Sequence, residues 1–210
     1  LDSEVLEKFI TKKNPRGDSY RSIRLITGLG CNFHCTFCHN VIFQSLHRTM
    51  SAERIYENIL KLNQKYGIIE FNLVDEHFFG DRERLFKFLD LIENGHLKIK
   101  FTSTMRASDL RENYINFDLL KRISIAGGHY FGVGAESGSN RMLKKMKKGI
   151  SVEHIRRAAE YTTGADVIFT FSFMAGVPGE KVEEFYDTLS LIMEIKKINE
   201  KLLVIGPQIF

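Results

Sequence analysis

Six short β-branched or aromatic runs alternate with amphipathic stretches along this 210-residue chain, and that alternation leaves few architectures open. The runs are SIRLIT (22–27), IIEFNLV (68–74), LKIKFTS (97–103), HYFGVGAE (129–136), DVIFTFSFM (166–174) and KLLVIGPQIF (201–210). Between them, apolar residues recur at helical spacing. Ile55, Ile59, Leu62 and Tyr66 mark a helix over 51–67, with Ser51 placed to cap its start and Gly67 its end. Leu85, Phe88, Leu89 and Ile92 mark 81–95, and further helices are expected over 115–127, 139–148 and 151–164. Val182, Phe185, Leu189, Ile192 and Met193 predict the inward face of a helix over 181–198. Such a repeat predicts right-handed crossovers and a parallel sheet. A closed eight-unit barrel takes about 250 residues. Six units therefore predict an α/β fold, a partial (β/α)6 TIM-like barrel with parallel strands, with a doubly wound sheet as the alternative. One core domain is expected over 21–210, after an N-terminal helix and lead-in over 1–20. The chain starts at Leu1 and ends on an apolar strand, so it is expected to be a piece of a longer polypeptide whose further segments cover that strand.

All three cysteines fall within eight positions, in CNFHCTFC, as Cys31, Cys35 and Cys38. An odd count at such spacing argues against a disulfide framework, and no leader sequence is apparent. Reduced thiols then predict a cytoplasmic setting. No apolar run approaches a membrane span. A net charge of +4 permits an anionic or nucleic-acid partner without arguing for one. Three clustered thiols suit a metal or cluster site. Either they hold three irons of a four-iron cluster, leaving the fourth open, or they hold one zinc with His34 or His39 as fourth ligand. A structural zinc usually organises a module without a core of its own, which this chain does not need. The cluster is favoured, and the two histidines are read as loop residues.

The chemically distinctive residues share one kind of position. CNFHCTFC follows the first predicted strand, DEHFF (75–79) the second, TSTMR (102–106) the third, AESGS (135–139) the fourth and AGVPGE (175–180) the fifth. Ligands bind at the carboxyl ends of strands in parallel α/β folds, so these loops predict one active site on one rim.

The CxxxCxxC loop after a first barrel strand resembles the radical S-adenosylmethionine (radical SAM) superfamily. GVGAESGSNRMLKKMKKG, SVEH and FSFMAGVPGE extend the likeness to the branch that includes cobalamin-dependent members and methylthiotransferases. The resemblance implies a four-iron four-sulfur cluster held by Cys31, Cys35 and Cys38, with SAM chelating the open iron. Reductive cleavage of SAM would give a 5′-deoxyadenosyl radical that abstracts hydrogen from substrate. It places Phe37 near the adenine, together with Val177 and Pro178 of GVPGE. It sets Asp75 and Glu76 in the loop whose backbone binds the SAM amino group, and puts Ser103 and Arg106 on the third-strand loop, Arg106 to grip a carboxylate. Glu136 and Ser137 would contact SAM at the fourth strand.

Each assignment has a plainer alternative. Ser137 or Ser139 can cap the next helix with Glu136 as its dipole partner, and Asp75 and Glu76 can stabilise a first helical turn. Arg106 can form a surface ion pair, and GVPGE can be a simple turn. Arg141, Lys144, Lys145, Lys147 and Lys148 read as a solvated helix face, with nucleic-acid contact as the alternative. The implied partners are an external electron donor such as flavodoxin or ferredoxin and a substrate the sequence does not name. Cobalamin would come from a domain outside this chain. A zinc-stabilised nucleic-acid-binding α/β domain is the competing reading.

Overall fold

The computed structural model describes residues 3–10, 21–40 and 46–210. Helix α1 (Ser3–Phe9) is described, and the rest of the expected lead-in, 11–20, lies outside the described residues. Strand β1 (Ser22–Leu25) follows. A small antiparallel hairpin, β2 (Gly28–Leu29) and β3 (Arg48–Thr49), brackets the cysteine stretch. Then come α2 (Ala52–Tyr66), β4 (Glu70–Leu73), α3 (Arg82–Asn94), β5 (Lys100–Arg106), α4 (Phe117–Ile125) and β6 (Gly128–Glu136). The chain continues through α5 (Asn140–Lys145), α6 (Val152–Tyr161), β7 (Ile168–Ala175), α7 (Val182–Ile198) and β8 (Leu203–Ile209). No helix among the described residues is long and apolar enough to cross a membrane.

The main sheet runs β1-β4-β5-β6-β7-β8, all parallel. Chain order and spatial order coincide. A doubly wound sheet reverses order at a switch point, so this sheet is the barrel-like alternative. With right-handed crossovers the helices that connect these strands lie on one face, and the other face curves around a cavity to which α1 contributes Leu6, Lys8 and Phe9.

Side-chain alternation makes those two faces different. Phe71, Leu73, Phe101, Met105, Phe131, Val133, Phe169, Phe171 and Phe173 are buried in the core. Aromatic rings link α3 to the sheet, with centroid separations of 5.7 Å for Phe88–Phe101, 5.9 Å for Phe101–Phe131 and 6.0 Å for Phe131–Phe169. The alternate residues Asn72, Thr102, Thr104, Tyr130, Thr170 and Ser172 line the cavity.

Several expectations need correction. Thr102–Arg106 belongs to β5 and is no loop. Its polar residues mimic a connection, but period-two alternation turns Thr102, Thr104 and Arg106 to the cavity while Phe101 packs outward. The inward face of α7 is rotated from the apolar stripe. Glu184, Thr188, Leu191 and Ile195 are buried, whereas Val182 and Met193 are 67% and 64% exposed. A polar clasp overrides the pattern: Glu184 accepts from Ser139 Oγ and Arg141 Nε, each at 2.8 Å. The Arg141 guanidinium holds the Glu184 carboxyl down to about 2. Arg141 is therefore no simple solvated residue. The first and second strands are also shorter than their apolar runs.

The caps of α2 are those expected. Ser51 accepts from the Arg54 amide at 3.2 Å, and Gly67 closes the helix at φ 63. Strand β8 leaves Leu203 and Ile205 each 44% exposed and Ile209 91% exposed.

Phe88 has no exposed surface and contacts Phe78 and Phe101. Phe88→Ala should lower unfolding free energy by about 3–5 kcal/mol in urea denaturation, as aromatic truncation in a packed core does. Val182→Ala, at an exposed site, should change it by less than about 0.5 kcal/mol.

Candidate active site

The cysteine loop is held both by its own hydrogen bonds and by neighbouring elements. Its base is closed by the β2–β3 hairpin. The Thr36 amide donates to the Met146 carbonyl at 2.9 Å, and Asn40 Nδ2 to the Cys31 carbonyl at 3.3 Å. Glu76 Oε2 accepts from the Gly30 amide at 3.2 Å, while its Oε1 stands 3.5 Å from His39 Nε2. Asp75 is deeper and fully engaged. It accepts from the Thr27 amide and hydroxyl, both at 2.6 Å, and its Oδ2 lies 3.7 Å from Arg84. Asp75 and Glu76 thus tie the β4 rim to the chain entering the cysteine loop, and neither is a first-turn stabiliser of α3. Asp81 takes that place, accepting from the Arg84 amide.

Arg106, the last residue of β5, is buried and organises the centre. Its guanidinium lies 3.5 Å from the Phe33 ring centroid, and Nη1 approaches Cys35 Sγ at 3.8 Å. Nη2 donates to the Lys148 carbonyl, and the Arg106 amide donates to Asp109 Oδ2 at 2.9 Å. The same Asp109 oxygen is 3.1 Å from His77 Nε2. Burial opposes charge on His77, but bonding to Asp109 and Cys31 prevails and carries it to about 9. Burial likewise raises the Cys31 thiol. The His77 hydrogen bond, the Phe33 amide and the His77 and Arg106 charges outweigh it and leave Cys31 below its ordinary value. Thiolate is the form that ligates metal.

Glu136 ends β6 in the left-handed region at φ 69. Its Oε1 receives Lys148 Nζ at 2.6 Å, and each side chain is 9% exposed. Lys148 Nζ also lies 5.5 Å from the Phe37 ring centroid. Glycine at 134 leaves room for the pair as it stands, since a Cβ there would meet Glu136 Oε1 at 2.5 Å and Lys148 Nζ at 2.6 Å. Lys148 therefore departs from the solvated face expected of the lysine run. It was hidden because its neighbours Lys144, Lys145 and Lys147 are exposed.

Cys31, Cys35, Cys38, Phe37, Asp75, Glu76, Ser103, Arg106 and Glu136 all line one cavity of about 1880 Å³. Single-ligand pockets commonly run to about 1000 Å³, so this space admits a cofactor and a substrate together. Ser103 donates its hydroxyl to the Leu73 carbonyl at 2.9 Å. Ser137, Val177 and Pro178 stand apart from the cavity. Ser137 is buried beside Thr188, 3.4 Å away, and Ser139 is the actual cap of α5. Val177 closes a turn by accepting from the Glu180 amide at 2.8 Å. Phe33, His77, Asp109 and Lys148 are the residues that sequence reasoning missed. Phe33 lies inside CNFHCTFC and His77 inside DEHFF, Lys148 was read with its lysine run, and Asp109 carried no signal.

The donor set fits an iron–sulfur cluster. The three thiols are free, and Arg106 Nε is buried without a hydrogen-bond partner among the described residues. A single zinc needs its donors within about 2.3 Å of one point, whereas each cysteine of a cluster holds a separate iron. Among the described residues no three His, Cys, Asp or Glu side chains are placed to hold one ion.

A model of the Radical SAM superfamily matches residues 25–192. The chain belongs to the radical SAM superfamily. The competing zinc-stabilised nucleic-acid-binding reading is thereby set aside, and the chain is an enzyme's. This radical SAM chain is 30% identical to a tRNA-2-methylthio-N(6)-dimethylallyladenosine synthase of Desulforamulus reducens, over 93% of its own length and 44% of the relative's. It is 29% identical to an uncharacterized methyltransferase of Pyrococcus horikoshii, over 81% of its length and 36% of the relative's. In fold it matches the cobalamin-dependent S-adenosylmethionine radical enzyme OxsB at a TM-score of 0.71, with 21% identity, over 89% of this chain and 28% of that one. The methyltransferase TsrM of Kitasatospora setae matches at 0.67 with 15% identity, over 82% of this chain and 34% of that one. The radical SAM chain spans less than half the length of these relatives.

Lys148→Met should strand the Glu136 carboxylate and cost about 3–5 kcal/mol in denaturant unfolding. The double variant Glu136→Gln/Lys148→Met should recover part of that loss. A double-variant loss equal to the sum of the Glu136→Gln and Lys148→Met losses would show that the two groups are not coupled.

Proposed function

We propose that this chain is a catalytic core that holds a four-iron four-sulfur cluster through Cys31, Cys35 and Cys38 and cleaves SAM reductively. The observation that carries the reading is the convergence of three thiols, Arg106 and Phe33 on one cavity rim. The bound cluster would supply the electron that opens the SAM sulfonium and releases a radical able to abstract hydrogen from substrate.

The residues around it bind and orient. Arg106 would grip the SAM carboxylate, with Phe33 stacking on its guanidinium and Asp109 at its amide. The backbone at Asp75 and Glu76, fixed by their own side-chain bonds, offers the polar surface for the amino group. Phe37 would supply an apolar face for the adenine; Val177 and Pro178 stand apart from the cavity and would reach the adenine only by movement of the β7 turn. Glu136, steadied by Lys148, presents a carboxylate over the fourth strand, and Ser137 holds the backbone behind it. Ser103 stiffens the β4–β5 wall below.

A one-electron donor such as flavodoxin or ferredoxin would serve as partner. The reaction beyond SAM cleavage depends on segments outside this chain. A cobalamin domain upstream would favour methyl transfer or ring chemistry, and an RNA-binding domain downstream would favour tRNA modification.

The anaerobically loaded chain, given dithionite and SAM, should release 5′-deoxyadenosine measurable by liquid chromatography. Arg106→Ala should weaken SAM binding about 10- to 100-fold, the worth of one charge-assisted hydrogen bond or slightly more. Unchanged SAM affinity in that variant would contradict the placement of the carboxylate, and no nucleoside product from the loaded parent would contradict the function.

A further inference from the structure

One rung of the inner sheet face carries hydrogen-bond donors that nothing on the wall receives. Register places Arg24 of β1 beside Asn72 of β4, Asn72 beside Thr102 of β5, and Thr102 beside Tyr130 of β6. All four residues line the cavity. Thr102 Oγ1 donates to Asn72 Oδ1 and Thr170 Oγ1 to the Tyr130 hydroxyl, each at 2.7 Å. The Asn72 amide hydrogens and the Tyr130 hydroxyl hydrogen are thereby left to donate. Arg24 makes no hydrogen bond, ion pair or ring contact among the described residues.

The carboxylates on the same cavity do not answer Arg24. Glu70, one rung lower, stands 3.5 Å from His129. Asp75, Glu76 and Glu136 are engaged at the rim by Thr27, Gly30 and Lys148. Lys8 of α1 and Lys61 and Lys65 of α2 also line the cavity, and none has a carboxylate partner among the described residues. Such an excess of one sign draws in an anion. We propose that Arg24, Asn72 and Tyr130 form the recognition site for a terminal phosphoryl group on the substrate. A carboxylate has two oxygens, and one arginine fork takes both. A terminal phosphoryl group keeps a third oxygen for Asn72 and Tyr130, and the lysines match its second charge. That the anion belongs to the substrate rests on the proposed function; the row of donors does not.

This rung lies well below the thiols. Thr102 and Arg106 share β5, and a strand rise of about 3.3 Å per residue puts about 13 Å between their levels. That distance keeps the site apart from the carboxylate that Arg106 would hold. Strand spacings of about 4.8 Å separate Arg24, Asn72, Thr102 and Tyr130 in turn. Arginine and tyrosine are long enough to close on one group from the two ends of that row. Gly132 keeps room above, because a Cβ there would meet only Thr104 Cγ2 at 3.4 Å. The phosphoryl group is thus the distal anchor of a substrate whose other end reacts at the rim.

The test uses phenyl phosphate as probe on the 210-residue chain without cluster or SAM, with dimethyl phosphate and benzoate as controls. Calorimetry should show phenyl phosphate bound more tightly than either control, and proton–nitrogen-15 spectra should show the Asn72 side-chain amide shifting during the titration. Arg24 is exposed, so Arg24→Gln keeps the fold. It should weaken phenyl phosphate binding by about tenfold or more, the worth of a charge-assisted hydrogen bond, and Tyr130→Phe by about threefold. Arg24→Lys should lose less than Arg24→Gln, and exposed Lys121→Gln on α4 should leave binding unchanged. Phenylphosphonate under the same conditions separates the two sources of such a group, the tighter binder marking an ester or a phosphonate. No binding by the parent, equal binding by Arg24→Gln, equal affinity for either control, or an unmoved Asn72 amide would each overturn the proposal. Because this readout needs neither cofactor, its failure would leave the SAM-cleavage reading standing, and the reverse also holds.

Discussion

Everything in this molecule depends on a parallel sheet that is apolar on one face only. Sheets buried on both faces read as continuous hydrophobic runs. Here every second residue of β4, β5 and β6 is polar or glycine, as are Thr170 and Ser172 of β7, while Phe71, Phe101, Phe131, Phe169, Phe171 and Phe173 pack in the core. Packing on that outer face supplies the stability. The inner face is thereby released from packing and can carry Asn72, Thr102, Tyr130 and Thr170 as a hydrogen-bonding wall. A closed apolar core in the same place would have left no cavity.

The rim inherits its precision from that wall. Arg106 is a strand residue, so its position is fixed by the β5–β6 ladder, where it registers with Gly134. From that fixed point it reaches Cys35, Phe33 and the Lys148 carbonyl. The described part of the thiol loop is held by these contacts and by Asp75 and Glu76. Groups held by regular structure position a site better than loop residues do. The buried Glu136–Lys148 pair extends the same logic to the fourth strand, at the cost of a left-handed residue at Glu136 and with glycine at 134 leaving it room.

How much of this was legible varies with the range of the interaction. The order of elements, the caps at Ser51 and Gly67 and the clustering of thiols depend on neighbours in sequence and could be read directly. The contacts that set the chemistry could not. His77 and Asp109 meet across 32 positions, and Arg106 and Cys35 across 71. Lys148 looked like its exposed neighbours because burial there follows from positive φ at Lys147 and Gly149, which turns one lysine of the run inward. The rotated face of α7 has a similar cause: Glu184 and Thr188 are buried by partners on the far side of β7, a pairing that periodicity does not encode.

The central claim is that the three thiols form one site that holds a cluster with an open iron. Iron and acid-labile sulfide measured per chain after anaerobic reconstitution, with electron paramagnetic resonance of the reduced protein before and after SAM, test it most directly. The account predicts close to four irons and four sulfides, a spectrum that shifts when SAM is added, and loss of both in Cys31→Ala, Cys35→Ala or Cys38→Ala. One zinc per chain without sulfide, or a full cluster in any of those three variants, would contradict it.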